Sequence, residues 1–328
     1  MELPSQLRAL RDFYYKTALK LPAEASLAHA PRLIDRPSFF TLEHLQRHLN
    51  NPMLMPDWFS LIWQGKPVDC SPAVAHKTIQ KKDVQFLNKG ILQEYLSHGA
   101  ALVLEGIDIL EPDINAMCRA IDSPHPAVFS NSVAFFSQQG QEAYRGHVDT
   151  DDVLVIQLSG EKRWHIHERQ ESRRVNLNEL SPERMGKQQA EIVMGPGDAL
   201  FLKSGTPHRV ETVGPYSLHM SFDICDRTVN AETALHLLIQ EFDQDASRPY
   251  TPVEAVMGKL FQLARSDGYW KRVGELQQKQ SENYRNAREI ISANRVTHLD
   301  NLIAVEKKAA GASALSRVLQ EPAATIQR

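Results

Sequence analysis

Cysteine is scarce in this chain of 328 residues, and basic charge is not in excess. The three cysteines, Cys70, Cys118 and Cys225, are far apart and odd in number, so they make neither a CxxC zinc site nor a closed set of disulfides. Thiols this sparse fit a reducing compartment, and a cytoplasmic protein is expected. Lysine and arginine number 37 against 40 acidic residues, a formal charge of −3. A basic cleft has no excess to draw on, so no nucleic-acid partner is expected. No apolar run approaches the roughly 18 residues of a membrane-crossing helix. Met1-Glu2-Leu3-Pro4 lacks the basic start and apolar stretch of a signal peptide, and no membrane partner is expected. No internal repeat or low-complexity tract stands out. Hydrophobic residues make up 42%, enough for a substantial core and for two domains.

What the chain does have is His147-Val148-Asp149, followed by Gly205-Thr206-Pro207-His208. Side chains at i and i+2 of a strand point to the same side. His147 and Asp149 can therefore reach one ion from a strand end, while His208 must arrive from a different strand. Two imidazoles and one carboxylate occupy one face of a non-haem Fe(II) octahedron and leave three positions open.

Apolar runs cut by turn residues surround this triad. Val153 to Leu158 reads as a buried strand, Ser159-Gly160 as a tight turn, and Lys162 to His167 as the returning strand. Gly195-Pro196-Gly197-Asp198 is a turn signal before the run Ala199 to Leu202. Another turn at Ser204-Gly205 delivers His208, and Ser217 to Cys225 reads as the next strand. Short strands at close spacing with Gly/Pro turns predict an all-β barrel or sandwich, whose inward side chains converge on one cavity.

On these blocks the chain resembles the cupin-type JmjC oxygenases, particularly the ribosomal oxygenases and the asparaginyl hydroxylase of the hypoxia response. The resemblance rests on Gly146 to Val153, Gln157 to Trp164, Gly195 to Leu202, Gly205 to His208 and Ser217 to Phe222. It covers roughly residues 128 to 225, with a looser likeness from about 85 to 125. It implies a mainly β fold with flanking helices, a double-stranded β-helix (cupin or jelly-roll) barrel. It implies Fe(II) with 2-oxoglutarate and O2 as co-substrates, hydroxylation of a C–H bond, and succinate and CO2 as co-products. His147, Asp149 and His208 match the metal ligands. Lys162 matches the basic residue that binds the distal carboxylate of 2-oxoglutarate, which needs a fixed cation once the other end chelates iron. Tyr144, Ser137 and Ser221 fall where relatives place further co-substrate contacts. Asp149 also separates this chain from iron halogenases of the broader superfamily, which lack that carboxylate.

The other polar residues have plainer readings. If Lys162 points into the cavity, period-2 geometry sends His165 and His167 outward. His219 shares parity with Ser221, so a place on the cavity wall and a place in the core are both open. His125, between prolines, reads as a loop residue, and Arg169 to Arg174 as a solvated loop. Asp151 and Asp152 read as a polar strand entry.

The organisation expected is residues 1–127 as helices and barrel-extending strands, 128–228 as the barrel core, and 229–328 as a helical region. In the first part, Leu42 to Leu49 reads as a helix started by Thr41. A second helix ends at Gly99, Ala101 to Leu104 is a strand, and Glu111-Pro112 opens another helix. In the last, Ala231 to Asp243 has helical periodicity, Thr251 to Glu254 is a capping box, and Tyr269 to about Ala293 forms a further helix. These helices are expected to join two copies, using Trp270, Val273, Ile290 and Ile291. The function expected is an Fe(II)/2-oxoglutarate-dependent hydroxylase acting on an amino-acid side chain in a protein or peptide. The alternatives are the same chemistry on a free amino acid or small metabolite, and a non-catalytic metal- or ligand-binding cupin. Lys162 argues against the last, because such a module has no use for a co-substrate clamp.

Overall fold

A computed structural model of the chain describes residues 3–51, 58–124, 128–138, 145–169, 180–226, 258, 261–262 and 264–293. Tyr144, His125, the segment 170–179 and the predicted helices between 227 and 257 lie outside them. The described strands are β1 (Leu27–Ala30), β2 (Phe59–Trp63), β3 (Lys66–Val68), β4 (Val74–Ile79), β5 (Lys82–Leu87), β6 (Ala101–Leu104), β7 (Val128–Gln138), β8 (Asp152–His167), β9 (Gln188–Met194), β10 (Ala199–Leu202) and β11 (His208–Asp226). The helices are α1 (Ser5–Lys16), α2 (Leu42–Asn50), α3 (Lys89–Ser97), α4 (Ile107–Leu110), α5 (Pro112–Asp122), α6 (Pro182–Met185) and α7 (Asp267–Ala293). All but the end of α7 belong to one compact unit, Met1–Arg288.

Nine strands form one antiparallel sheet in the order β1-β10-β8-β11-β7-β6-β2-β3, with β9 added to β8. Its spine is the pair β8 and β11. The predicted hairpin at Ser159-Gly160 is corrected: Asp152 to His167 is one strand of 16 residues. Its two halves pair with two halves of β11, Asp152 opposite Ile224 and Ile166 opposite His208, rather than with each other. The irregular stretch between Thr212 and Ser217 of β11 faces Gly160. There the ladder curls over, so Val153 and Ser221 from one half line the same cavity as Trp164 and His208 from the other. Gly160 permits the curl. It has φ +66°, and a Cβ there would stand 2.0 Å from the carbonyl oxygen of Tyr216.

The curl explains why the β8 run is apolar on both faces. Leu154, Ile156 and Leu158 pack outward with Leu7, Leu10 and Phe201 in the main core. Val153 and Val155 pack inward with Trp164, Ile166, Met194 and Val210. One strand thus serves two apolar layers.

Several local signals act as read. Thr41 caps α2 in a capping box with His44, Pro112 opens α5, and Gly99 follows α3 at φ +89°. Gly197 in the Gly195-Pro196-Gly197-Asp198 turn has φ +91°, and a Cβ would meet the Ile34 carbonyl oxygen at 1.9 Å. The turn thereby holds the segment after β1.

The long helix α7 is tied to the sheet. Tyr269 and Val273 are fully buried, and Tyr284 packs on Phe129 with ring centroids 4.6 Å apart. Arg288 is 2% exposed; it pairs with Asp122, donates to the Ser130 carbonyl at 2.8 Å and lies 3.8 Å from Asp108. Burial pushes both carboxyls above their ordinary range, and the guanidinium draws them back.

Candidate metal centre

The chain enters the site at His147, which forms an isolated antiparallel bridge with His208. Two backbone hydrogen bonds of 3.0 Å join these residues, and the Gly205 amide donates to the Asp149 carbonyl at 2.9 Å. Between the two would-be ligands, Val148 turns the other way and is buried with Leu180 and Met185. The alternation that puts His147 and Asp149 on one side is therefore locked by packing on the opposite side.

One ligand atom each from His147, Asp149 and His208 comes within 4.8 Å of the others. His147 Nε2 is 3.8 Å and His208 Nε2 3.5 Å from Asp149 oxygens. Cis ligands bound at about 2.1 Å stand roughly 3 Å apart, so little adjustment closes the set around an ion. Each imidazole Nδ1 is placed against a backbone carbonyl, of Arg145 at 2.8 Å and of Thr206 at 3.0 Å. A proton on Nδ1 satisfies those carbonyls and leaves the Nε2 lone pair for metal. Burial first, then the neighbouring His147, pulls His208 down to about 4, which keeps it neutral and ready to ligate. Trp164 stacks on His208 at 5.6 Å. These features fit a divalent ion held by two imidazoles and one carboxylate.

The triad opens into a cavity of about 750 Å³. Lys162 lines it, only 1% exposed, and has no hydrogen bond or ion pair among the described residues. Burial alone pulls its ammonium down to about 7. Ser221 is on the wall. Ser137 shares a strand face with the cavity-lining Val133 and Phe135 but does not reach the wall; its hydroxyl shares a 2.7 Å hydrogen bond with Thr212, the register partner of Lys162. His219 lines the cavity, whereas His165 lies between Glu191 and Glu211, outside that wall.

Other wall residues escaped the sequence reading. Asp223 shares the parity of His219 and Ser221, a signal that could have found it; burial first, then Asp149 and Asp151, raises it to about 7. Asn131 contributes an Oδ1 with no partner among the described residues, and Glu105 is raised by burial. Tyr284 arrives from α7 with no local signal at all.

Residues 109–232 match a protein-family model described as the JmjC domain. Among solved structures, the chain is similar to YcfD of Escherichia coli, at 15% identity over 80% of this chain and 69% of that one, with a TM-score of 0.51. YcfD described as a ribosomal oxygenase in complex with cobalt and 2-oxoglutarate aligns at 14% identity over 79% and 69%, again with a TM-score of 0.51. At such identity the likeness shows the fold, a mainly antiparallel jelly roll of cupin type. Ribosomal oxygenase 2 of Rattus norvegicus is 24% identical over 136 residues, 42% of this chain and 26% of that protein. The bifunctional lysine-specific demethylase and histidyl-hydroxylase NO66 of Aedes aegypti is 26% identical over 103 residues, 30% and 16% respectively. The matched stretches thus span about a quarter or less of these relatives' own length.

Proposed function

We propose that this JmjC protein is an Fe(II)- and 2-oxoglutarate-dependent oxygenase that hydroxylates a C–H bond of an amino-acid side chain in a protein or peptide. The observation that carries the reading is the pairing of a His-Asp-His face with an unpaired buried lysine in one cavity. His147, Asp149 and His208 would hold the iron, and Lys162 would hold the distal carboxylate of 2-oxoglutarate. Bound iron, 2-oxoglutarate and O2 together supply the oxidation of the C–H bond, with succinate and CO2 released. The chain's own part is positional. The carbonyls of Arg145 and Thr206 set the imidazole tautomers, and Asp149 balances part of the metal charge. Val153, Trp164 and Val210 make the wall near the metal apolar and exclude water. Ser221 stands on the same wall as a second polar contact for the co-substrate.

On the substrate side, the carboxyl oxygens of Asp223 and Glu105 and the unpartnered Asn131 Oδ1 offer acceptors, beside the donors of the Asn131 amide, which suits a polar side chain bearing N–H groups. YcfD is described as a ribosomal oxygenase and NO66 as a histidyl-hydroxylase; both names support a protein substrate. A cavity of about 750 Å³ also admits a free amino acid, the second reading. Lys162 disfavours a non-catalytic cupin, which gains nothing from a buried cation without a partner.

Three further elements complete the proposal. No nucleic-acid partner is expected at a net charge of −3. Three free cysteines suit the cytoplasm, and among the described residues no helix is long and apolar enough to cross a membrane. A homodimer through 229–328 would use Trp270, which is 43% exposed, but not Val273, which is buried in its own chain. Light scattering at micromolar concentration tests the dimer, which a strictly monomeric mass would exclude.

The test of function is succinate formation with Fe(II) and 2-oxoglutarate, together with a mass gain of one oxygen in candidate peptides and free amino acids. His147→Ala, Asp149→Ala and His208→Ala should each abolish anaerobic Fe(II) binding and turnover while melting cooperatively. Wild-type Fe(II) affinity in all three would end the assignment.

A further inference from the structure

His219 is placed as though waiting for something. It is 4% exposed and lies parallel on Phe135, ring centroids 4.8 Å apart at 5°. Trp164 meets it edge-on at 5.9 Å from the facing half of the curled ladder. Its Nδ1 is buried with no hydrogen-bond partner among the described residues. Leaving such an atom unsatisfied is costly, and an apolar ring on Phe135 would avoid that cost. The described residues therefore leave the imidazole with an unmet hydrogen bond, which a bound guest could supply.

The neighbourhood says what kind of group that is. Lys162 lines the same cavity and acts on His219 directly: burial first, then the Lys162 charge, holds the imidazole well below its ordinary value. His219 is thus a neutral ring beside a cation. Neither side chain has an anionic partner among the described residues, and together they offer donors to a single acceptor-rich guest. A carboxylate balances one positive charge, and a neutral N–H can share that carboxylate without adding a second charge to a buried site.

We propose that His219 is the second donor of the anion subsite headed by Lys162, giving an imidazole N–H to the distal carboxylate of 2-oxoglutarate. The inference rests on the oxygenase reading above and adds to it a residue that selects the co-substrate. The stack on Phe135 fixes the ring plane in advance, so little side-chain freedom is lost when the anion enters.

The test is anaerobic calorimetry on the Fe(II)-loaded full chain with two probes. One is 2-oxoglutarate; the other is 2-oxopentanoate, which keeps the 2-oxo acid head and ends in a methyl group. His219→Phe retains the ring on Phe135 and removes both nitrogens. It should weaken 2-oxoglutarate about tenfold or more and move 2-oxopentanoate less than about twofold. His219→Asn, which restores an N–H near the Nδ1 position, should recover part of the loss. Equal weakening of both probes, or of neither, overturns the inference. The Lys162→Met variant separates the two levels. If it weakens 2-oxoglutarate and His219→Phe does not, only His219's role falls; if both are silent, the oxygenase reading of the clamp falls as well. Should His219→Phe not fold, 15N-histidine spectra of the Zn(II)-loaded wild type decide. The His219 ring resonances must shift with 2-oxoglutarate and not with 2-oxopentanoate, and their failure to do so overturns the proposal.

Discussion

Lys162 and Arg288 are both withdrawn from solvent, 1% and 2% exposed, yet their surroundings are opposite. Arg288 meets Asp122, Asp108 and the Ser130 carbonyl, and the carboxylates push its pKa up against the effect of burial. Lys162 meets no anion, and burial takes it down to about 7. A buried cation supplied with partners from its own chain closes a seam between elements. One left without them marks a place where a partner from outside belongs.

The sharpest way to break this contrast is to remove each cation and watch the sign. Arg288→Met should destabilise the chain by about 3–5 kcal/mol, because Asp122 and Asp108 stay buried without compensation. Urea unfolding measures this, and a loss under about 1 kcal/mol would remove the seam role. Lys162→Met should act the other way in the absence of co-substrate, stabilising by about 1–4 kcal/mol as an uncompensated charge leaves. Its cost appears when 2-oxoglutarate is added: the wild-type melting temperature should rise and the variant's should not. Destabilisation by Lys162→Met in the co-substrate-free protein would mean that the lysine has an internal partner.

A smaller effect follows from pH. The empty protein holds Lys162 near 7, and a bound carboxylate raises it, so the anion complex retains its proton to higher pH. The added affinity is therefore present in full below about pH 7. It is lost as pH rises toward the raised value, by at most about 1.4 kcal/mol per unit. Calorimetry between pH 6.5 and 8.5, values chosen to bracket roughly the free lysine, should show this for 2-oxoglutarate and not for 2-oxopentanoate. Smallest of all is Ser137→Ala. Losing the bond to Thr212 should cost about 1 kcal/mol of stability, and 2-oxoglutarate affinity should change only a few-fold, through Lys162's register neighbour. A loss as large as that of Lys162→Met would give Ser137 direct contact with the co-substrate.

The candidate metal-binding face was legible in the sequence because the spacing of His147 and Asp149, i and i+2, is local; Lys162 was legible through the family resemblance, and strand parity then separated it from His165. The turns at Gly197 and Gly205 were legible for the same reason. The single long strand β8 was not, because Ser159-Gly160 carries the composition of a hairpin, and only its pairing with β11 shows that the chain passes through. Strand β1 owes its pairing to β10, some 170 residues away by register, and no window of sequence contains both. Tyr284 and Arg288 reach the cavity wall and the seam through tertiary packing of α7. Nothing in the polar stretch from Gln277 to Arg288 distinguishes them from a solvated helix face.

The seam has a consequence for how this chain can be divided. The family match stops at residue 232, but the carboxylates of Asp108 and Asp122 are neutralised from residue 288. Modularity drawn from sequence families and modularity drawn from charge balance therefore disagree. In terms of charge, α7 and the two aspartates form one unit. A chain cut before Arg288 would leave Asp108 and Asp122 buried without their cation, and replacing both by apolar residues should recover part of the stability lost.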